Sequence, residues 1–393
     1  MFKRSEKRWM SFAVRPSRRF LFRRPPATAR RRLGAGGLLL SLLLLAWGSH
    51  RAEERVLVQG LTDAEIWYTD PASYSLSRNE GETASLGRLR LWAAGEFMHN
   101  LQGFVLGAVE GGTGTEAGET DTRLEQAYLR YSFDAPRRLV LQAGKLYLPY
   151  GNFSRRYFSS QNPLIGTPLN YEISYPLGIQ ISGAVKRFDF MAAALDGPLT
   201  HQGYDSPTES AVRPAVSAGV TPLTGFRIGA YFTRGPYLSR ISEAWLLPGK
   251  TLGDFHEKVT GLDVQFSRAH FELNGELTQT RLEVPATGDA WGRTWYVEPK
   301  YTFSPRWYAA MRWERGDLPV ANWVWATTWT AEQDRINDLE AGIGFRVVPG
   351  FLVKTSYRTE LGKQSFGADP EGHALALQLS YSFDVNSWFL RPR

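Results

Sequence analysis

The stretch Ala374-Leu375-Ala376-Leu377-Gln378-Leu379-Ser380-Tyr381-Ser382-Phe383 puts every large apolar side chain on one parity and every small or polar one on the other. Successive side chains of a strand point to opposite faces, so a period of two marks a strand lying between an apolar and a polar medium. The same sorting recurs upstream. Phe271, Leu273 and Leu277 alternate with Glu272, Asn274, Glu276 and Thr278, and Trp307, Met311 and Trp313 alternate with Tyr308, Arg312 and Glu314. Leu339, Ile343 and Phe345 alternate with Asp338, Glu340 and Arg346. A soluble barrel would fill its interior with the apolar face and leave the outside polar. Here the face opposite the apolar one carries full charges, which assigns lipid to the outside and water to the inside.

From Val56 onward about sixteen such runs can be traced, each roughly the 9–11 residues that a tilted strand needs to cross a bilayer. Short turns fall at His99-Asn100, Asp134–Arg138, Lys186-Arg187, Thr221–Gly225, Ser267–Ala269, Ser304–Arg306 and Val348–Gly350. Long and short connections are expected to alternate strictly, with longer polar loops between these turns, among them Glu110–Asp121, Asp196–Ser210, Gly235–His256 and Gly316–Gln333. The expected fold is all-β: a transmembrane antiparallel β-barrel of about sixteen strands, with short periplasmic turns and long extracellular loops. A soluble β-sandwich is the rival, but sandwiches do not usually follow an export signal with so many strands of matched length.

That signal occupies residues 1–48. Residues 1–33 carry 12 Lys/Arg and one acid, followed by the apolar run Leu38–Trp47 and a small-residue cleavage pattern at Ala46-Trp47-Gly48. This is the three-part plan of a secretory signal peptide, and the apolar run is too short for a spanning helix. The pair Arg18-Arg19 belongs to the basic region rather than to a twin-arginine signal, because a barrel must reach its membrane unfolded. The whole chain is +7, but without residues 1–33 it holds 34 basic and 38 acidic residues, about −4. The basic balance is therefore a property of the leader, and a nucleic-acid partner is excluded. The barrel is expected over residues 49–393, in the bacterial outer membrane, with outer-membrane lipid and lipopolysaccharide as its surroundings. The chain has no cysteine, which excludes a disulfide framework, thiolate metal sites and covalently attached haem. Its 13 Trp and 17 Tyr suit aromatic girdles at both interfaces.

The third long connection, Leu148–Glu172, is too apolar for a solvated loop: Tyr150, Phe153, Tyr157, Phe158, Leu164, Ile165 and Tyr171 all need burial. Folded back into the barrel, it would bring Arg155, Arg156 and Tyr157 into the narrowest part of the lumen. Arg forks suit carboxylate and phosphate geometry, and rings of Arg or Lys select anions. The competing placement is on the outer surface, against anionic head groups. Parity places Arg88, Arg90, Arg130, Lys186, Arg213, Arg227, Lys300, Arg312, Arg346, Lys354 and Arg358 inward. It also places Glu96, Asp263, Glu272, Glu276, Glu298, Glu314, Asp338 and Glu340 inward, so the wall is of mixed sign.

The segments Glu125–Tyr131, Gly144-Lys145-Leu146-Tyr147-Leu148-Pro149-Tyr150-Gly151, Tyr157–Gln161 and Ser174-Tyr175-Pro176-Leu177-Gly178 resemble bacterial outer-membrane porins of the phosphate-selective O/P group. The resemblance covers about residues 120–190. It implies a homotrimeric, sixteen-stranded diffusion channel whose third loop narrows the pore, with phosphate selectivity resting on a dense Arg/Lys array. The chain would pass small hydrophilic solutes or anions. The alternative is a barrel sheathing a partner, such as a multihaem electron conduit or an export lipoprotein, which needs an empty lumen.

No enzyme is expected and no cofactor. The six His are scattered, and His270 beside Ser267 is a weak hydrolase signal. Glu116, Glu119 and Asp121 form an acidic loop, and Asn322–Thr330 is Trp-rich, which fits an interfacial anchor or a loop packed on the rim better than a sugar platform. Cleavage after Gly48 is tested by intact mass of protein from the outer-membrane fraction. The N-terminus is expected near Ser49, and a mass that retains residues 1–33 would defeat the signal-peptide reading.

Overall fold

The computed structural model describes residues 56–70, 84–112, 120–134, 138–147, 151–169, 175–196, 212–238, 240–324, 328–363, 369 and 371–386. The leader, Glu116 and Glu119, Tyr150, Tyr171 and the chain after Asn386 lie outside the described residues. Sixteen strands form one closed antiparallel barrel, each paired with its neighbours in sequence and the first with the last. They are β1 Val56–Thr69, β2 Ala84–Met98, β3 Leu101–Gly112, β4 Asp121–Ser132, β5 Leu139–Lys145, β6 Leu177–Val185, β7 Phe188–Leu195 and β8 Arg213–Leu223. The second half holds β9 Phe226–Pro236, β10 His256–Arg268, β11 Phe271–Glu283, β12 Asp289–Thr302, β13 Trp307–Val324, β14 Thr328–Val348, β15 Phe351–Lys363 and β16 Glu371–Asp384.

The seam runs from Gln59↔Asp384 to Thr69↔Ala374. Beyond it, the Asn386 side chain donates to Val56 O and accepts from the Val58 N–H, both at 2.7 Å. The start of the tail is thus a clamp on β1, which pairs backbone groups at the one place where the sheet could reopen. Parity along β16 is as the sequence sorts it: Leu377 is 43% exposed and Gln378 only 3%. Just before or after each turn, the outward face carries an aromatic residue. Tyr131, Phe133, Phe188, Tyr301, Phe303, Trp307 and Tyr381 are all exposed there. Neighbouring rings touch from hairpin to hairpin, as in Phe226–Phe266 at 6.4 Å, Phe266–Phe271 at 6.2 Å and Phe351–Tyr381 at 6.3 Å. That is an interfacial belt on the turn side.

Two details differ from the sequence reading. The segment Gly316–Gln333 is not a loop. It continues β13 and β14 as a paired ribbon, from Gly316↔Ile336 out to Val324↔Thr328. Its apolar parity fades because it stands beyond the lipid, yet a ladder needs no apolar face once its partner strand lies alongside. The Arg335–Asp317 pair at 2.8 Å adds a cross-strand tie. The connection from β11 to β12, residues 284–288, is also short, so long and short connections do not alternate strictly. The second detail is a bulge. Between Leu106↔Gln126 and Gly107↔Leu124 the register skips Glu125, which turns this carboxylate inward against the parity of Tyr128 and Arg130.

Leu377→Arg, mid-strand on the lipid face, is expected to destabilise the folded barrel by about 2–4 kcal/mol. His373→Arg, on the same face at the loop-side rim, should cost about 0–1 kcal/mol. Urea titration of refolding into vesicles measures both, and equal costs would mean the face is not lipid-facing.

Candidate functional site

Between β5 and β6 the chain turns into the barrel and meets the strands on the opposite wall. Gly151 takes φ +70°, a left-handed conformation that suits glycine, and delivers Asn152 against β10 and β11. Asn152 is fully buried: its side-chain amide donates to Val264 O and Gly275 O, each at 3.0 Å, and its N–H to Glu276 at 3.1 Å. The Tyr296 hydroxyl donates to its side-chain oxygen. A single 3-10 turn, Phe153–Arg156, follows. Phe153 is buried and Arg155 exposed, with Asp189 and Asp263 within electrostatic range of its charge.

Arg156 reaches β12 and pairs with Glu298 at 2.5 Å, while its guanidinium lies 5.4 Å from the Phe153 ring centre. Burial is the largest single influence and opposes its charge, but the Glu298 carboxylate and the Tyr296 hydroxyl together outweigh it and raise its pKa above the ordinary guanidinium value. Tyr157 accepts a hydrogen bond from Arg90, whose guanidinium also lies 4.9 Å from the Tyr157 ring centre. The Ser159 hydroxyl donates to Asp63 on β1.

The chain then runs along β13–β15. Tyr308 OH donates to Pro163 O at 3.2 Å, and the N–H groups of Ile165 and Gly166 donate to Glu340 at 3.2 and 3.0 Å. The Leu169 N–H donates to Glu314 at 2.6 Å. A Cβ at residue 166 would stand 2.6 Å from a Glu340 oxygen and 2.9 Å from Arg358, so glycine lets the backbone come this close. The strongest tie is Lys354. Its ammonium is 1% exposed and donates to Ser159 O, Asn162 O and Leu164 O at 2.9, 3.0 and 2.9 Å. All three of its protons are used.

The inward cations are held by acids. Arg88 pairs with Glu110, and Arg90 with the bulge residue Glu125 at 3.1 Å. Arg312 meets Glu298, Glu314 and Glu340 at 3.3, 3.3 and 2.6 Å, and Arg358 meets Asp338 and Glu314. Arg213 pairs with Glu257 at 2.7 Å, and Arg227 bridges Asp189 and Asp263. Lys300 pairs with Glu272 at 2.7 Å and shares the Tyr308 ring with Arg346. Arg130 differs: its Nε is buried and without a hydrogen-bond partner among the described residues.

The wall is not charged throughout. Met191, Leu195, Ala215, Tyr231 and Val259 form a buried inward cluster on β7–β10 that the parity reading did not single out. Trp329, in the Trp-rich segment, packs with Tyr237, Leu252, Leu282 and Val284. Asp121 pairs with Arg123, and His270 lies 6.3 Å from the Tyr301 ring.

The sequence matches no protein-family model, and no curated protein matches it. Solved structures do match the whole barrel. An anion-selective porin from Comamonas acidovorans is 10% identical at a TM-score of 0.59, over 84% of this chain and 99% of that one. OprB of Pseudomonas putida is 10% identical at 0.57, over 86% and 97%. OmpT of Vibrio cholerae, in a trimer form, is 12% identical at 0.53, over 84% and 99%. The fold is that of outer-membrane porins.

Lys354→Met removes three charge-assisted hydrogen bonds of about 1.5–3 kcal/mol each while keeping an unbranched side chain one heavy atom shorter. The loop should open more often, so tryptic cleavage at Arg155-Arg156 is expected to rise about tenfold or more, with noisier single-channel currents. Unchanged cleavage in a correctly folded variant would show that other contacts hold the loop.

Proposed function

We propose that the protein is a porin of the bacterial outer membrane through which small hydrophilic solutes, anions preferentially, diffuse passively. In this reading residues 1–48 are removed on export and residues 148–172 narrow the pore, with Arg155, Arg156 and Tyr157 at the constriction. The observation that carries it is the path of residues 151–169. They contact β1, β2 and β10–β15 from an origin at β5, and they contain two arginines and no acid. A loop on that path reduces a wide lumen to a passage whose mobile ions meet positive charge first. It also weighs against a sheath around a multihaem conduit or lipoprotein, which needs the same space. A homotrimer is supported by the trimeric form of the Vibrio cholerae neighbour.

Phosphate specificity, implied by the resemblance of residues 120–190, would need a dense array of free cations. Arg88, Arg90, Arg213, Arg312 and Arg358 are each tied to carboxylates, and Lys354 to carbonyls. We therefore read the selectivity as a general anion preference set by a few residues. Arg155, exposed on the loop, is the first of them.

The test is reversal potential in a salt gradient across a planar bilayer. Arg155→Glu should shift it toward cation preference with conductance preserved. Arg156→Gln should shift it the same way, because Glu298 loses one of its two cations; Glu at 156 would set two carboxylates together and confuse the result. Reversal potentials equal to wild type in both variants, with normal conductance, would remove these arginines from the ion path.

A further inference from the structure

We propose that the cavity on the turn side of the barrel, beneath the loop, is a binding subsite for small organic carboxylates. It has a volume of about 380 Å³. It lies between the β12–β13 turn, the β14–β15 turn and the inner face of β16, with Ser160 of the loop above it. The proposal rests on the porin reading only for how a ligand arrives. The chemistry of the lining is its own argument.

Arg306 and Arg346 are the charged residues of the lining, and no acid is among them. Arg346 is positioned: its guanidinium stands 5.3 Å from the Tyr308 ring centre and donates to Pro305 O at 3.3 Å. Neither arginine has an ion pair among the described residues, so the donor forks that suit a carboxylate are available. A second observation points to the same ligand. Ser380 is 1% exposed, lines the cavity, and its hydroxyl has no hydrogen-bond partner among the described residues. Native structures leave few buried hydroxyls unpaired, and this one belongs to a residue of the cavity lining.

The neighbouring acid does not cancel the charge. Asp63, the cross-strand partner of Ser380 on β1, accepts from Ser159 and lies 3.8 and 3.7 Å from Arg88 and Arg90.

The rest of the lining decides the class of anion. Leu352, 9% exposed on the inner face of β15, and the turn prolines Pro305 and Pro349 give the cavity an apolar wall. A hydrated inorganic ion gains nothing there, whereas a compact hydrocarbon or aromatic body is removed from water. Two guanidinium forks, a free serine and an apolar wall match a carboxylate on a body of benzoate size.

The experiment is calorimetric titration of the purified full-length protein in detergent at low salt, using benzoate, benzamide and inorganic phosphate. Benzoate should bind saturably and at least about tenfold more tightly than either control, which lacks the charge or the apolar body. The Arg306→Gln/Arg346→Gln double variant should weaken benzoate about tenfold or more. Arg306→Gln alone, on an exposed turn where folding is not at risk, should weaken it several-fold. Absent benzoate binding, benzoate affinity unchanged in the double variant, or phosphate or benzamide binding as tightly as benzoate, each overturns the proposal. Conductance measured in parallel separates the two readings: benzoate binding without a channel supports the subsite and sinks the porin, and a channel without benzoate binding does the reverse.

Discussion

In hydrocarbon no water can satisfy a backbone N–H or C=O, and each one left unpaired costs several kcal/mol. A sheet in a membrane must therefore close. The rest of this protein follows from that requirement: the seam of β1 on β16, the Asn386 clamp that extends it, and the apolar outer face. Closure at sixteen strands also fixes the next problem. A ring of that circumference encloses more space than wall side chains can fill, and the chain folds residues 151–169 into it.

Docking a loop inside a barrel means burying backbone groups that belong to no ladder. The chain solves this by inverting the usual roles of loop and wall. The N–H groups of Asn152, Ile165, Gly166 and Leu169 donate to wall carboxylates, those of Glu276, Glu340 and Glu314. Carbonyls of Ser159, Asn162 and Leu164 accept from the wall ammonium of Lys354. Those carboxylates would themselves be costly to bury, and the Arg312 and Arg358 guanidiniums beside Glu314 and Glu340 offset that cost. Wall and loop thus form one hydrogen-bonded network, in which removing one member leaves the others unpaired.

The strand positions were legible because lipid enforces parity on every residue it touches, as at Leu375, Leu377 and Leu379. Parity also picked out the inward charges Arg88, Arg312 and Glu340, since each alternates with an apolar neighbour. It failed where lipid stops enforcing it. Beyond the membrane, Gly316–Gln333 lost its apolar face and read as a loop. At Glu125 a bulge reverses the parity, and nothing in the local sequence announces it. The loop's composition said that its aromatics must be buried, but not which wall groups would receive it. Lys354 stood among the inward cations with no mark that it would bind three loop carbonyls, because its partners lie about 190 residues away in sequence. Asn152 gave a fainter sign: a lone amide in an aromatic run that has to be buried needs partners for all its donors and acceptors.

Counting charges on the wall gives almost no selectivity, because most of them face a partner of opposite sign. Two opposite charges 3 Å apart look neutral to an ion a Debye length away, about 8–10 Å at physiological salt. In the proposed porin reading, the ion path would therefore respond to the cations whose neighbours do not cancel them. Arg155 is exposed on the loop, Arg306 and Arg346 rim the turn-side cavity, and Arg130 has an unpartnered Nε. They lie at different levels of the barrel, one at the loop and others toward the turns. In the proposed porin reading, an anion that passes Arg155 would move toward Arg306 and Arg346 rather than away from positive charge. A gradient of this kind needs no dense array. It needs only that the compensated charges stay compensated, which is what the rigid docking of the loop secures.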